Sequence, residues 1–172
     1  RSYTGTYDGS AHGISVSAPE GSTVKYGTSE GSYTLDASPT YTDAGSYTVY
    51  YQVTKANYST VTGNAFVNIS KAAGSIAYST VSIGKTFGDG AFTNALTNTG
   101  DGTVTYSSSN TGVATVNSST GEVTIVGNGT TTITATVSDG TNYTYSTKTA
   151  SYTLDVGGAT MTVSASGFDG PY

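Results

Sequence analysis

Apolar and polar positions alternate along much of this chain with a period of two, the signature of a β-strand that turns one face to a core. Ser46 to Val53 sets Tyr47, Val49, Tyr51 and Val53 on one face and Ser46, Thr48, Tyr50 and Gln52 on the other. Val61 to Ile69 repeats the pattern with Val61, Gly63, Ala65, Val67 and Ile69 aligned. Ala56-Asn57-Tyr58-Ser59 between them reads as a turn, so the two strands form a hairpin. Ile14 to Ala18 and Thr23 to Gly27 are shorter predicted strands, separated by the turn signal Pro19-Glu20-Gly21. Further predicted strands are Thr103 to Ser107, Gly112 to Val116, Glu122 to Val126, Thr130 to Val137 and Thr144 to Val156. In the stretch from Thr130, Thr131, Ile133, Ala135 and Val137 face one way, and Asn128-Gly129 marks the turn before it.

Turn signals fall at the roughly 8 to 12 residue spacing of a β-sandwich. The expected fold is therefore all-β, with two tandem immunoglobulin-like β-sandwich domains. Lys71-Ala72-Ala73-Gly74 is the predicted joint, because the style of the sequence shifts there from Tyr-rich to Thr/Ser/Asn-rich. The domains are then 1–71, 72–157 and a C-terminal linking or donor strand at 158–172.

Composition narrows the class. The 172 residues include 23 Gly, 15 Tyr, 4 Phe, one Met, and no Cys or Trp. Charged residues are 10%, against about 25% in an average soluble domain. Helix formers are scarce and strand formers common, while the recurring Tyr, Val and Ile argue against disorder. A net charge of -5 without a Lys/Arg cluster removes the electrostatic footprint of nucleic-acid binding. No stretch reaches the about 18 apolar residues of a membrane-spanning helix. Export or anchoring information is expected outside this segment.

One run carries a specific resemblance. Tyr106-Ser107-Ser108-Ser109-Asn110-Thr111-Gly112-Val113-Ala114-Thr115-Val116, then Gly121-Glu122-Val123 and Gly127-Asn128-Gly129-Thr130-Thr131-Thr132-Ile133-Thr134-Ala135, resembles the group 2 bacterial immunoglobulin-like domain over residues of about 75–156. Tyr106 stands where that family often has Trp. Residues of about 1–70, with Tyr7-Asp8-Gly9, His12-Gly13-Ile14, Tyr41 through Tyr51 and Asn57-Tyr58, resemble Tyr-rich repeat modules of large bacterial surface proteins. The resemblance implies adhesin stalks, spacers and cell-surface fibres at an extracellular location, and carries no catalytic residues.

Candidate chemistry is sparse. A hydrolytic triad needs a nucleophile, a base and an orienting group, and the only His is His12, which reads as a turn or rim residue. One His and no Cys leave no ordinary zinc site, and neither a cofactor nor a metal is expected. Asp-Gly pairs at Asp8, Asp89, Asp101, Asp139 and Asp169 suit hairpin turns; calcium is the competing use of such carboxylates. Asp43 is expected to cap local backbone amides before the long strand. Tyr41, Tyr50, Tyr143 and Tyr145 offer flat faces for a sugar. Asn57, Asn68, Asn117, Asn128 and Asn142 lie in Asn-x-Ser/Thr triplets that a Thr/Ser-rich chain supplies by chance. Lys25, Lys55, Lys71, Lys85 and Lys148 coexist with many Asn, but no motif singles out a cross-linking pair.

The two ends of the sequence echo each other. Phe168-Asp169-Gly170-Pro171-Tyr172 repeats the aromatic-x-Gly-x-Tyr pattern of Tyr3-Thr4-Gly5-Thr6-Tyr7, and 172 minus 7 gives a spacing of 165 residues. Before the second copy stands Thr160-Met161-Thr162-Val163-Ser164-Ala165, alternating as a strand should. The first domain is thus expected to be short of its opening strand, with Met161, Val163, Ala165, Phe168 and Tyr172 making an inter-repeat contact. Two forms of that contact stay open: a separate filament subunit that donates its tail, and one repeat of a longer polypeptide. The function expected is a non-enzymatic repeat unit of a bacterial stalk, adhesin or filament, with neighbouring copies as partners. The alternative is a module that binds glycan or host protein.

Overall fold

The computed structural model describes residues 1–165, and every regular element among them is a β-strand. The chain divides into two compact units. The first comprises Arg1–Ser75, Asn98–Thr103 and Ser138–Lys148; the second comprises Ile76–Thr97, Val104–Val137 and the described part of Thr149–Tyr172.

Four strands form the main sheet of the first unit: β1 (Tyr3–Thr6), β2 (Thr23–Gly27), β3 (Gly45–Thr54) and β4 (Val61–Ser70), in the order β1-β4-β3-β2. β3 and β4 are the hairpin that alternation predicts, paired antiparallel from Gly45 opposite Ile69 to Val53 opposite Val61. In their turn Tyr58 N–H donates to the Lys55 carbonyl at 3.1 Å, and Asn57 takes a φ of 66°, a left-handed conformation that Asn tolerates better than most residues. β1 runs parallel to β4, Tyr3 beside Val67 and Thr6 beside Ser70. The core is Ile14, Val49, Ala65, Val67 and Ile69, with Tyr3, Tyr7, Tyr26, Tyr41, Tyr47 and Tyr51 packed against it. Tyr thus supplies the aromatic area that Phe and Trp supply elsewhere, while its hydroxyl reaches the rim: Tyr47 stacks on Tyr41 at 4.0 Å, and its hydroxyl donates to the Asp43 carbonyl.

The remaining strands are β5 (Ala72–Tyr78), β6 (Ser82–Thr86), β7 (Phe92–Thr93), β8 (Leu96–Thr99), β9 (Val104–Ser108), β10 (Ala114–Val116), β11 (Glu122–Ile125), β12 (Gly129–Val137), β13 (Tyr143–Tyr145) and β14 (Thr149–Gly157). They form sheets of order β6-β14-β12-β9, β10-β11-β7 and β13-β5-β8. β13 lies in the first unit, and β5 starts there and ends in the second. β12 is the centre of the second unit, antiparallel to β14 on one side and to β9 on the other. Its inward face buries Ile133, Ala135 and Val137, against Tyr152, Leu154 and Val156 of β14.

The inward face of β12 also carries a buried polar residue, Thr131, and its hydroxyl accounts for the Ser-Ser-Asn run. Thr131 Oγ1 accepts the Asn110 N–H at 2.9 Å and shares hydrogen bonds with the Ser108 and Ser109 hydroxyls at 3.0 and 3.2 Å. Asn110 then holds the following turn, its Oδ1 accepting the Gly112 N–H. Ser108, Ser109 and Asn110 of this motif thus meet the one buried polar group of β12 from the strand end, which is why small polar residues stand there.

Three segments depart from the pattern read along the sequence. Ile14 to Ala18 alternates correctly, but lies outside any strand among the described residues. Thr144 to Val156 is two strands, β13 and β14, broken at Ser146–Lys148. The break is held by Asp139, whose Oδ1 accepts the Tyr145 N–H at 2.9 Å and pairs with Lys148 Nζ. Lys71-Ala72-Ala73-Gly74, small and loop-like in composition, is the entry to β5, because Ala72 to Gly74 pairs parallel with Tyr143 to Tyr145.

Three consequences are measurable. Thr131→Val keeps the shape but strands the Asn110 N–H, and calorimetric melting should show a loss of about 1–3 kcal/mol. Among the described residues the Tyr152 hydroxyl is buried without a partner, its ring edge-on to that of Tyr78, and burial pushes its pKa up to about 12; Tyr152→Phe should leave stability unchanged or raise it by about 1 kcal/mol, since an orphaned hydroxyl is removed. The Lys148 ammonium, followed by the Tyr145 N–H, lowers the Asp139 pKa from 3.8 to about 2. Because the folded value lies below the unfolded one, the stability this carboxylate contributes is complete above pH 3.8 and lost as the pH falls through about 2. A carboxyl titration by NMR should find that midpoint, and Lys148→Met should move it up towards 3.8.

Candidate functional site

The first unit has an open edge. β1 covers β4 only from Val67 to Ser70, with the Ser2 hydroxyl accepting the Phe66 N–H just before it. The same side of β4 from Val61 to Ala65 has no ladder partner among the described residues. Across from it runs Gly13–Pro19. Ser15 and Arg1 exchange backbone bonds in both directions: Ser15 N–H donates to the Arg1 carbonyl at 3.2 Å, and Arg1 N donates to the Ser15 carbonyl. Beyond that pair, Val16, Ser17 and Ala18 make no backbone-to-backbone hydrogen bond among the described residues. Unmade backbone bonds of this kind are what an added strand satisfies. Between the two segments lies a groove with walls of Val16, Ala18, Pro19, Tyr51, Val53 and Val61. Val61 is 57% exposed, although it continues the inward face of β4.

The sequence-predicted contact residues lie elsewhere. Met161, Val163 and Ala165 follow β14 in a stretch that forms no strand, with Met161 85% and Val163 80% exposed. Phe168 and Tyr172 lie outside the described residues.

The groups that might do chemistry are engaged in holding turns. His12 Nε2 is 2.9 Å from Asp8 Oδ1 and 3.1 Å from the Tyr3 hydroxyl, and the imidazole stacks on the Tyr3 ring at 4.0 Å. The hydrogen bond from His12, then that from the Ser10 N–H, lowers the Asp8 pKa below the usual carboxylate range. Asp89 accepts the Thr86 N–H, and Asp101 accepts the Asn142 and Tyr143 N–H groups through its two oxygens. With Asp8 and Asp139, four of the five Asp-Gly carboxylates thus cap backbone amides; Asp169 lies outside the described residues. Among the described residues no three His, Cys, Asp or Glu side chains gather as a metal site would need.

Asp43 differs from its expected role. Its carboxylate takes no local amide and instead accepts the Asn142 side-chain N–H at 3.0 Å. Asn142, a chance glycosylation triplet in the sequence, is the busiest polar residue of the first unit. Its Oδ1 accepts the Ala44 N–H at 2.7 Å, its carbonyl accepts the Ala72 N–H at 2.8 Å, and its own N–H goes to Asp101. Nothing in local spacing marks it, since Asp43 and Ala44 lie 99 and 98 positions away. Tyr145 is equally unavailable to a sugar: it is buried, and its hydroxyl donates to Asn98 Oδ1 and accepts the Gly102 N–H. Gly100, at a φ of 146°, passes beneath that ring where any Cβ would stand 2.3 Å from the hydroxyl oxygen.

With this geometry in hand, the chain can be set beside known proteins. Residues 90–141 match the family model of the intimin immunoglobulin-like domain. No curated protein matches the chain. Among solved structures, domains 1–6 of the surface layer protein SbsC are 21% identical with a TM-score of 0.47, over 82% of this chain and 20% of that one. The C-terminal 282-residue fragment of intimin, solved with the intimin-binding domain of its translocated receptor, is 20% identical with a TM-score of 0.35, over 83% of this chain and 55% of that one. A SusE-like surface-located polysaccharide-binding protein from the heparin utilisation locus of Bacteroides thetaiotaomicron is 15% identical with a TM-score of 0.32, over 91% of this chain and 33% of that one. The chain spans between a fifth and somewhat over half of these structures. The matched stretch, residues 90–141, is thus similar to bacterial immunoglobulin-like domains, and it holds the same Ser-Ser-Asn run that Thr131 anchors.

Proposed function

We propose that the chain is a non-enzymatic structural repeat unit of a bacterial cell-surface stalk, adhesin or filament, joined head to tail through the segment that follows Gly157. The observation that carries the reading is that its reactive side chains are engaged by its own backbone and by neighbouring side chains. His12, Asp8, Asp43, Asp89, Asp101 and Asp139 all bond turns or neighbouring side chains, and nine of the 15 Tyr are buried or packed partly buried against a core. Such a chain gives up catalysis for a well-tied scaffold. The family match over residues 90–141 supports the extracellular setting, and the finer assignment to the group 2 domains rests on the Tyr106 to Ala135 motif. The open edge of the first unit supports the head-to-tail joint, since backbone groups there await a strand.

Light scattering and electron microscopy of the 172-residue chain beside a version ending at Gly157 test the reading. The full chain should form linear polymers as its concentration rises, and the shortened one should stay monomeric. Chains that behave alike in this assay, together with saturable binding to a glycan or host-protein array, would overturn it in favour of a recognition module.

A further inference from the structure

We propose that the groove between Ser15–Pro19 and β4 receives the segment Thr160–Ala165 of a second copy of this chain, as a strand antiparallel to Ser15–Ala18. The proposal rests on the head-to-tail reading and gives it an acceptor site, a register and a face.

The echo between the ends sets the register. The repeated pattern pairs Tyr172 with Tyr7 and Phe168 with Tyr3 in sequence, an offset of 172 minus 7, or 165, so the tail up to Ala165 corresponds to the positions just before Arg1. The Ser15 N–H donates to the Arg1 carbonyl and the Arg1 terminal ammonium to the Ser15 carbonyl, the placement of a hydrogen-bonded antiparallel pair with numbers summing to 16. Carrying that ladder backwards from Arg1 puts Ala165 opposite Val16, Ser164 opposite Ser17 and Val163 opposite Ala18. Ser17, which lacks a backbone partner among the described residues, then exchanges both backbone bonds with Ser164, while Val16 and Ala18 form the non-hydrogen-bonded pairs on either side.

The face agrees independently. Directly opposed residues of an antiparallel pair project on the same side. All three of Val16, Ser17 and Ala18 border the groove, but Val16 and Ala18 are half-buried and Ser17 is exposed. Ala165 and Val163 therefore enter the groove, and Ser164 points outward beside Ser17. A rival course is to prolong β1 in parallel along β4. Tyr3 beside Val67 fixes that register, placing Val163 beside Thr62 and Ala165 beside Asn64, both exposed. The apolar side chains of the tail would then face water. A phase of one residue separates the two courses, and the alternation in the tail selects the antiparallel one.

In the second unit β6 lies parallel on β14 as β1 lies on β4, and Ile76 and Tyr78, in the strand just before β6, are buried. The tail segment has the alternation that this position requires in the first unit.

Because the chain has no Cys, disulfide trapping reads the register directly. Ala18 and Val163 form a non-hydrogen-bonded pair in this ladder, with Cα atoms at about 4.5 Å, inside the range of about 4.4–6.8 Å that a disulfide spans. The full chain carrying Ala18→Cys and Val163→Cys, oxidised at high concentration, should give a ladder of covalent dimers, trimers and higher species that collapses with reductant. Ala18→Cys with Ser164→Cys, whose thiols project from opposite faces, should give roughly tenfold less. Melting of both reduced variants at the parent temperature would establish that they fold. No ladder, a disulfide closed within one chain, or equal ladders from the two pairs overturns the proposal. If the ladder fails while light scattering still shows tail-dependent polymers, this groove is wrong and the head-to-tail reading stands; if both fail, both fall.

Discussion

Every backbone amide that leaves a sheet in this protein must find another acceptor, and the chain meets that demand with side chains one to three bonds long. Asp101, Asp139, Asn110, Asn117, Asn142 and Thr131 each bring an oxygen to an amide that a turn or strand end has released. Charged residues are only 10% of the chain, and four of the 11 acidic ones, Asp8, Asp89, Asp101 and Asp139, accept backbone N–H groups. The Thr, Ser, Asn and Asp content that makes the sequence look like a linker is, in the fold, a system of caps.

The same demand explains which parts of the fold could be read in advance. β2, β3, β4 and β12 were legible because hydrophobic alternation and turn chemistry agree within each of them, and both are local. The segment from Ile14 to Ala18 carries the alternation of a strand yet forms none, because strand identity also needs a partner, and the neighbouring backbone beside Val16 to Ala18 is absent from the described residues. At Lys71 to Gly74, where the shift in sequence style marks the expected joint, Ala72 to Gly74 also forms a strand with Tyr143 to Tyr145, some seventy positions later, and no local pattern shows that pairing. The role of Asn142 was invisible for the same reason, as was the break at Ser146–Lys148, which depends on a carboxylate at Asp139.

Of the two sides of the proposed contact, a local pattern marks the tail and none marks the groove. Repetition and alternation pick out Met161, Val163 and Ala165 from the sequence alone. The groove of Val16, Ala18, Tyr51, Val53 and Val61 comes from three separate segments, and only folding puts them side by side. The tyrosines are the converse case. Their number suggests a recognition surface, yet most pack against the cores because a ring with a hydroxyl serves at a core boundary as well as at a ligand.

The parallel pairing of β1 with β4 has a mechanical meaning. β1 lies near the start of the first unit's main sheet and β4 is its last strand, and they point the same way. Tension that enters at the start of β1 and leaves at the end of β4 pulls the two along their common axis in opposite directions. The hydrogen bonds between them are then sheared together, whereas an antiparallel hairpin pulled from its two ends opens one bond at a time. β6 on β14 repeats the geometry in the second unit. Resistance to force is governed by the rate of unfolding and not by equilibrium stability, so a chain of modest cores can still hold under load when the strands that take the strain run in parallel.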